Sequence, residues 1–196
     1  MGRLSVVNFV SMDGVVQSPL SEDEDRDGGF AHGGWVAPYS DDVVEQFMRE
    51  STVSAAGLLL GRRSYEILHT AWADADQTEP AVAAMNGMPK YVASSSSEKL
   101  AWSNSHWLKG DLPSAVIDLK RGIDGDLVVF GSAALVRELA RFDLVDEYRL
   151  LLFPVLLGGG KRMFDDDAAL ARFRLVDTVV SPRGVAIHSF VRDTDT

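Results

Sequence analysis

Apolar runs that stop at a glycine and hand over to a helical pattern recur along this chain, and that arrangement leaves few folds open. Leu58-Leu59-Leu60 ends at Gly61, and Leu127-Val128-Val129-Phe130 ends at Gly131. A strand that is apolar on successive residues is buried on both faces, so each face of its sheet needs a cover of helices. Residues 4–10 read as a first strand of the same kind, closed by the turn signal Ser11-Met12-Asp13-Gly14. Further strands are expected at 90–93, 106–108, 126–130 and 145–153, the last stopped by Pro154. Ser40 is expected to cap a helix with Asp41 and Asp42 in its first turn and Val43, Val44, Phe47 and Met48 on one face, ending near Ala55. Ser64-Tyr65-Glu66 opens a second helix and 113–121 forms a third. Ser132 caps a fourth, whose Leu135, Val136 and Leu139 make an apolar stripe. Residues 173–180 and 185–191, joined by Ser181-Pro182-Arg183-Gly184, make a hairpin. The expected fold is therefore α/β: a mixed, mainly parallel sheet flanked by helices, with a C-terminal antiparallel hairpin. The 196 residues suit one domain, 1–196, whose core needs no disulfide or metal staple.

Composition narrows the function classes. The chain has no cysteine, which excludes Cys-ligated zinc, iron–sulfur clusters, a thiol nucleophile and a disulfide scaffold. Lys plus Arg number 19 against 29 Asp plus Glu, a formal charge of −10 that repels polyanions, so no nucleic acid is expected as a partner. The longest apolar runs fall far short of the roughly 20 residues that cross a bilayer, and the first residues carry no export-type apolar region. No membrane partner is expected, and the location expected is cytoplasmic. His32, His69, His106 and His188 are too scattered for a metal centre, and Asp165-Asp166-Asp167 reads as a solvated acidic turn.

The chemistry concentrates at strand ends. Gly61-Arg62-Arg63-Ser64 and Gly131-Ser132-Ala133-Ala134 each place a glycine between a strand's carboxyl end and a helix N-terminus. Glycine lets a phosphate approach the backbone, while free amides and the helix dipole attract its charge. Ligands collect at such ends in open α/β sheets, so the two junctions can share one dinucleotide diphosphate; each alone also reads as a tight turn. Arg62, Arg63 and the run Ser94-Ser95-Ser96 suit a terminal phosphate monoester, such as the 2′-phosphate that NADPH has and NADH lacks. The plainer alternatives are surface ion pairs and a flexible polar loop. Residues 17–40 form a long loop of the kind that binds or covers a ligand, although 21–27 also reads as a mobile acidic segment. Phe30, Trp35 and Tyr39 indicate that the second half of this loop docks on the body, and His32 beside them is a substrate contact or a surface residue. Asp13 is either the aspartate of an Asp-Gly turn or, if burial raises its pKa, a catalytic proton donor.

These segments also carry a family resemblance. Leu58-Leu59-Leu60-Gly61-Arg62-Arg63-Ser64-Tyr65-Glu66, Tyr91-Val92-Ala93-Ser94-Ser95 and Val128-Val129-Phe130-Gly131-Ser132-Ala133-Ala134-Leu135 look like the three cofactor-binding segments of the dihydrofolate reductase-like superfamily, in order. Leu144-Val145-Asp146-Glu147-Tyr148-Arg149-Leu150, Pro154-Val155-Leu156-Leu157-Gly158-Gly159-Gly160-Lys161-Arg162-Met163-Phe164 and Ser11-Met12-Asp13-Gly14 are similar to the reductase domain of the bifunctional riboflavin-biosynthesis deaminase/reductase and its stand-alone relatives. The resemblance covers essentially the whole chain, and the zinc motifs of the accompanying deaminase are absent from it. It implies an NADPH-dependent oxidoreductase that binds its cofactor through Gly61, Arg62, Arg63, Ser64, Ser94, Ser95, Gly131, Ser132, Ala133, Ala134 and Leu135. It implies a small heterocyclic or sugar-like substrate, such as 5-amino-6-(5-phosphoribosylamino)uracil or a relative, held near Trp35, Asp42 and Glu45, with Asp13 catalytic. It also implies a homodimer formed through the 145–153 strand and the turn after it. Ser132 stands where folate reductases usually carry a second glycine, which restricts the backbone there. The reading of another class is a non-catalytic nucleotide- or flavin-binding sensor or interaction protein on the same fold.

Overall fold

The computed structural model describes residues 1–96, 99–165 and 168–193. Its strands are β1 (Arg3–Ser11), β2 (Ala55–Gly61), β3 (Lys90–Ala93), β4 (Ser105–Leu108), β5 (Asp126–Phe130), β6 (Glu147–Phe153), β7 (Phe173–Val180) and β8 (Ala186–Arg192). They form one eight-stranded sheet in the order β4-β3-β2-β5-β1-β6-β8-β7. β1 to β6 run parallel, while β8 is antiparallel to both β6 and β7. The fold is the dihydrofolate reductase-like one that the sequence implies.

Five helices cover the sheet: α1 (Asp42–Val53), α2 (Arg62–Trp72), α3 (Pro80–Gly87), α4 (Leu112–Gly122) and α5 (Ala133–Arg141). The strands divide their side chains between two cores at a period of two. Val7, Leu58, Leu60, Val128 and Phe130 pack with Val44 of α1, Tyr65 of α2 and Met85 of α3. Their alternates Leu4, Val6, Leu59, Leu127 and Val129 pack with Val116 of α4 and Leu135, Val136 and Leu139 of α5. Continuously apolar strands are thus explained by a sheet covered on both faces.

Three local expectations are corrected. Asp41, not Ser40, caps α1: its Oδ1 accepts from the amides of Val43 (3.2 Å) and Val44 (3.1 Å), while Ser40 Oγ donates to Glu45. Ser132 makes no side-chain cap on α5 and lies in the left-handed region at φ 61°, ψ 75°. α3 was not anticipated; Pro80 opens it and buries no amide by doing so, and its alanines blur the spacing of the buried pair Val82 and Met85.

The amino ends of the central strands carry a closed charge network. Asp126 holds both Arg3 (3.0 Å) and Arg149 (2.9 Å), and Glu147 accepts from Arg149 (2.8 Å) and Ser5 (3.0 Å). Nearby, Asp146 accepts from the Leu4 amide at 2.7 Å and pairs with the mostly buried Lys120. At the amino end of β3 the Lys90 ammonium is fully buried, donating to the carbonyls of Asn86, Met88 and Ser103 and lying over the Trp102 ring. Burial lowers its pKa to about 8.

Candidate functional site

At the opposite end of the sheet the two glycine junctions meet, because β2 and β5 are neighbours. A Cβ on Gly61 would stand 2.5 Å from Ser132 Oγ, so the two turns are in contact and a side chain here would have to turn that hydroxyl aside. Gly131, at φ 71°, turns the chain from β5 toward α5. Gly61 pairs with Ala93 of β3, so Arg62 and Ser94 leave adjacent strands side by side. Arg62 lies over the Tyr65 ring and pairs with Glu66 at 2.7 Å.

A cavity of about 640 Å³ opens beside this cradle, within the usual range for small-molecule sites. Ser64, Phe130 to Ala134 and Arg137 bound one side, and Met48, Thr52, Ile67, Leu68, Trp72, Val82 and Met85 of α1, α2 and α3 bound the other. Val7, Asn8 and Phe9 of β1 also line it. The β1–β5 pairing stops at Val7 and Phe130, whereas β1 continues along β6 to Ser11, so the β5 side of β1 faces the cavity beyond Val7 without a strand beside it.

Asn8 is 4% exposed, and its Nδ2 has no hydrogen-bond partner among the described residues. A buried donor left unpaired costs about 1–3 kcal/mol, and in a ligand cavity it marks a place where a ligand acceptor fits. Nothing in the run of strand-like residues around Asn8 announced this.

The loop of residues 17–40 closes over the cavity instead of standing off it. The buried Gln17 donates to the carbonyls of Asp25 and Asp27 (both 3.0 Å), and its Oε1 accepts from the Lys161 amide at 2.8 Å. Asp25 and Asp27 each pair with both Lys161 and Arg63. Residues more than 130 positions apart in sequence therefore lock the loop to the glycine-rich turn at 158–160. The acidic segment is tied down at Asp25, which is 8% exposed, while Glu22, Asp23 and Arg26 stay exposed.

Several expected site residues stand elsewhere. Arg63 lines the cavity but turns to the loop carboxylates, away from Arg62. Trp35 does not line the cavity: it is buried with its ring edge-on to Phe153 at 5.4 Å, its Nε1 donating to Gln17 O at 2.8 Å. Together with Phe30 and Tyr39 it anchors the loop's second half, as those aromatics implied. Asp13 accepts from Ser11 Oγ (2.7 Å) and from the amides of Leu157 (3.2 Å) and Gly158 (2.8 Å). The Ser11 hydroxyl and these amides hold its carboxyl below the usual range, so the condition set for a proton donor is not met and the Asp-Gly turn reading is favoured. Of the two first-helix acids, Glu45 lines the cavity, while Asp42 is exposed in the first turn of α1 and does not. Ser64, Gly131, Ser132, Ala133 and Ala134 line the cavity; Gly61, Arg62, Ser94 and Ser95 sit at the strand ends beside it, and Leu135 is buried under α5. His32 stands edge-on to Phe30 and lines a separate, open cleft near Gly159.

Glu24 was not singled out by sequence. It lines the cavity from the loop and accepts from the Leu20 amide at 2.9 Å, and burial pushes its carboxyl up. Among the described residues no group of three or more His, Asp or Glu could hold a metal ion. Asp165 pairs with Arg137 at 2.9 Å, while Asp166 and Asp167 lie outside the described residues. No described helix is long and apolar enough to cross a membrane.

Comparison with known proteins agrees with this geometry. The RibD C-terminal domain family matches residues 4–187, nearly the whole chain. The protein belongs to the RibD C-terminal domain family. A curated relative, the uncharacterized protein YyaP of Bacillus subtilis strain 168, is 27% identical over 135 residues, 65% of this chain and 69% of its own. Solved structures with the same fold include one named for riboflavin biosynthesis from Shewanella sp. PV-4, with a TM-score of 0.72 at 18% identity over 97% of this chain and 99% of that one. Enterococcus faecalis dihydrofolate reductase, complexed with NADP(H) and RAB-propyl, gives 0.64 at 14% identity over 98% and 97%. A pyrimidine reductase-like protein of Corynebacterium diphtheriae gives 0.63 at 11% identity over 99% and 93%. Membership of the RibD C-terminal domain family supports a reductase-like function for this chain.

Proposed function

We propose that residues 1–196 form one NADPH-dependent reductase unit that gives hydride to a small substrate in the cavity beside the cradle. The observation that carries this reading is the meeting of the Gly61 and Gly131 junctions at the mouth of the cavity. Free amides at the N-termini of α2 and α5 suit a diphosphate. Arg62, Ser94 and Ser95 suit the adenosine 2′-phosphate, and Asn8 Nδ2 suits an oxygen of the ligand. The nicotinamide supplies the hydride when bound. Glu24 lines the cavity with a carboxyl that burial pushes up, which suits the proton-donor role better than Asp13, which does not line it and whose carboxyl is held down.

The test is calorimetric titration with NADPH and NADH. The wild type should prefer NADPH by at least about tenfold, or 1.4 kcal/mol. Arg62→Ala should erase that preference while sparing NADH; equal losses for both would remove Arg62 from the 2′-phosphate. A protein that binds nucleotide without oxidising NADPH on any substrate would favour the sensor reading.

We also propose a cytoplasmic homodimer. The 145–153 strand expected to form the interface is β6, which lies inside the sheet between β1 and β8, so the interface proposed moves to the edge strand β7, which exposes Leu175, Val176, Val179 and Val180, a surface that edge strands ordinarily keep covered. Light scattering that gives a monomer mass would remove this proposal.

A further inference from the structure

The charges around the cavity are already spent on one another. Four described cations line it, and each has a carboxylate partner. Arg49 pairs with Glu79 at 3.7 Å and Arg137 with Asp165 at 2.9 Å, while Arg63 and Lys161 share Asp25 and Asp27. A phosphate placed here would compete with these carboxylates for their cations, and Glu24 from the loop and Glu45 from α1 line the same cavity and repel it. The α1–α3 side is mainly apolar: Met48, Ile67, Leu68, Trp72, Val82 and Met85 form it, with Glu45 and the Arg49–Glu79 pair as its charged members. Its hydroxyl, on Thr52, donates back to Met48 O at 2.8 Å and is satisfied within its own helix.

We infer that this side of the cavity takes an uncharged, mainly apolar ring compound, and not a phosphorylated sugar derivative. The inference rests on the reductase reading for the name of substrate, but the cavity's preference can be measured without any cofactor. An uncharged ring keeps the four ion pairs intact and exchanges water for apolar wall, which is favourable in proportion to area. A phosphorylated ligand loses a paired carboxylate, or stays outside the paired cations.

The probes are menadione, an uncharged bicyclic quinone, and uridine 5′-monophosphate, a phosphorylated pyrimidine. Menadione ordinarily reacts with thiols, and this chain has none. Trp72 lines the apolar wall, so its fluorescence reports occupancy. Menadione should quench saturably, with a dissociation constant at least tenfold below the inhibition constant at which the monophosphate displaces it, a readout that monophosphate held at the glycine cradle does not move. Trp72→Phe should remove most of the quench. Ala81 lines the cavity on α3 and is only part-buried, so Ala81→Arg can add an unpaired cation without disturbing the core. It should weaken menadione and strengthen the monophosphate, each by about tenfold. Tighter binding of the monophosphate to the wild type would overturn the inference, as would a menadione quench unchanged in Trp72→Phe. Failure of NADPH to bind would instead strike the reductase reading and leave the measured preference standing.

Discussion

At the amino ends of β1, β5 and β6, Glu147 accepts from Ser5 and Arg149 while Asp126 holds Arg3 and Arg149. Past the carboxyl end of β5, Asn8 Nδ2 of β1 has no described partner, Ser132 is held left-handed and β1 is paired on its β6 side alone. Around β1, β5 and β6 the sheet thus has a polar end that is complete by itself and a polar end that is incomplete, although at the edge Ser105 Oγ, opening β4, also has no described partner. Completeness serves stability, because breaking one member of a buried network strands the others. Incompleteness serves binding, because an unpaired donor or a strained turn persists only where the surrounding structure enforces it, and a ligand then supplies what is missing.

The largest expected effect tests the complete end. The Glu147 side chain is 8% exposed, and Glu147→Ala removes the acceptor shared by Arg149 and Ser5. Unfolding free energy in denaturant should fall by about 3 kcal/mol, with NADPH affinity unchanged because the site lies at the other end of the sheet. A loss of affinity in the folded variant would mean that the two ends are coupled, and the comparison would fail.

The next effect has the opposite sign. Asn8→Leu replaces an unpaired buried amide with an apolar group of similar size, so the ligand-free protein should gain about 1–2 kcal/mol. The same variant should bind its cofactor about tenfold more weakly. A destabilised Asn8→Leu would show that the amide is already satisfied without ligand, and Asn8 would then belong with the complete end.

The contrast also explains what the sequence revealed. Strand and helix order, the hairpin and the two glycine junctions are local patterns of a few residues, and β2, β3, β4 and β5 fall where runs of apolar residues stop. The Leu58/Leu60 and Leu59 alternation needs two covering layers, which is why a parallel sheet was legible. The site's charge network was not, since Asp25, Asp27, Arg63 and Lys161 are brought together only by tertiary folding. An acidic run and an Arg-Arg pair carry no mark of the partner they will find. Asn8 was hidden for the converse reason: the strand around it reads as core, and its missing partner is visible only once both faces of the sheet are in place. Trp35 was read two ways because a tryptophan in a glycine-rich loop suits a substrate contact as well as it suits an anchor on Phe153, and only the second is found.

The smallest expected effect concerns Ser132, where strain and binding are hardest to separate. A left-handed conformation costs an L-residue about 1–2 kcal/mol, and glycine avoids that cost at the expense of about 0.5–1 kcal/mol of chain entropy. Ser132→Gly should therefore stabilise the protein by no more than about 1.5 kcal/mol. It also removes the hydroxyl that faces Gly61, leaving the two junctions their backbone amides. If those amides are the diphosphate's donors, NADPH affinity should hold within about twofold while the denaturation midpoint rises slightly. A tenfold loss of affinity at unchanged stability would instead assign the Ser132 hydroxyl to the ligand, and would make the serine that departs from the usual glycine pair a feature of recognition and not of strain.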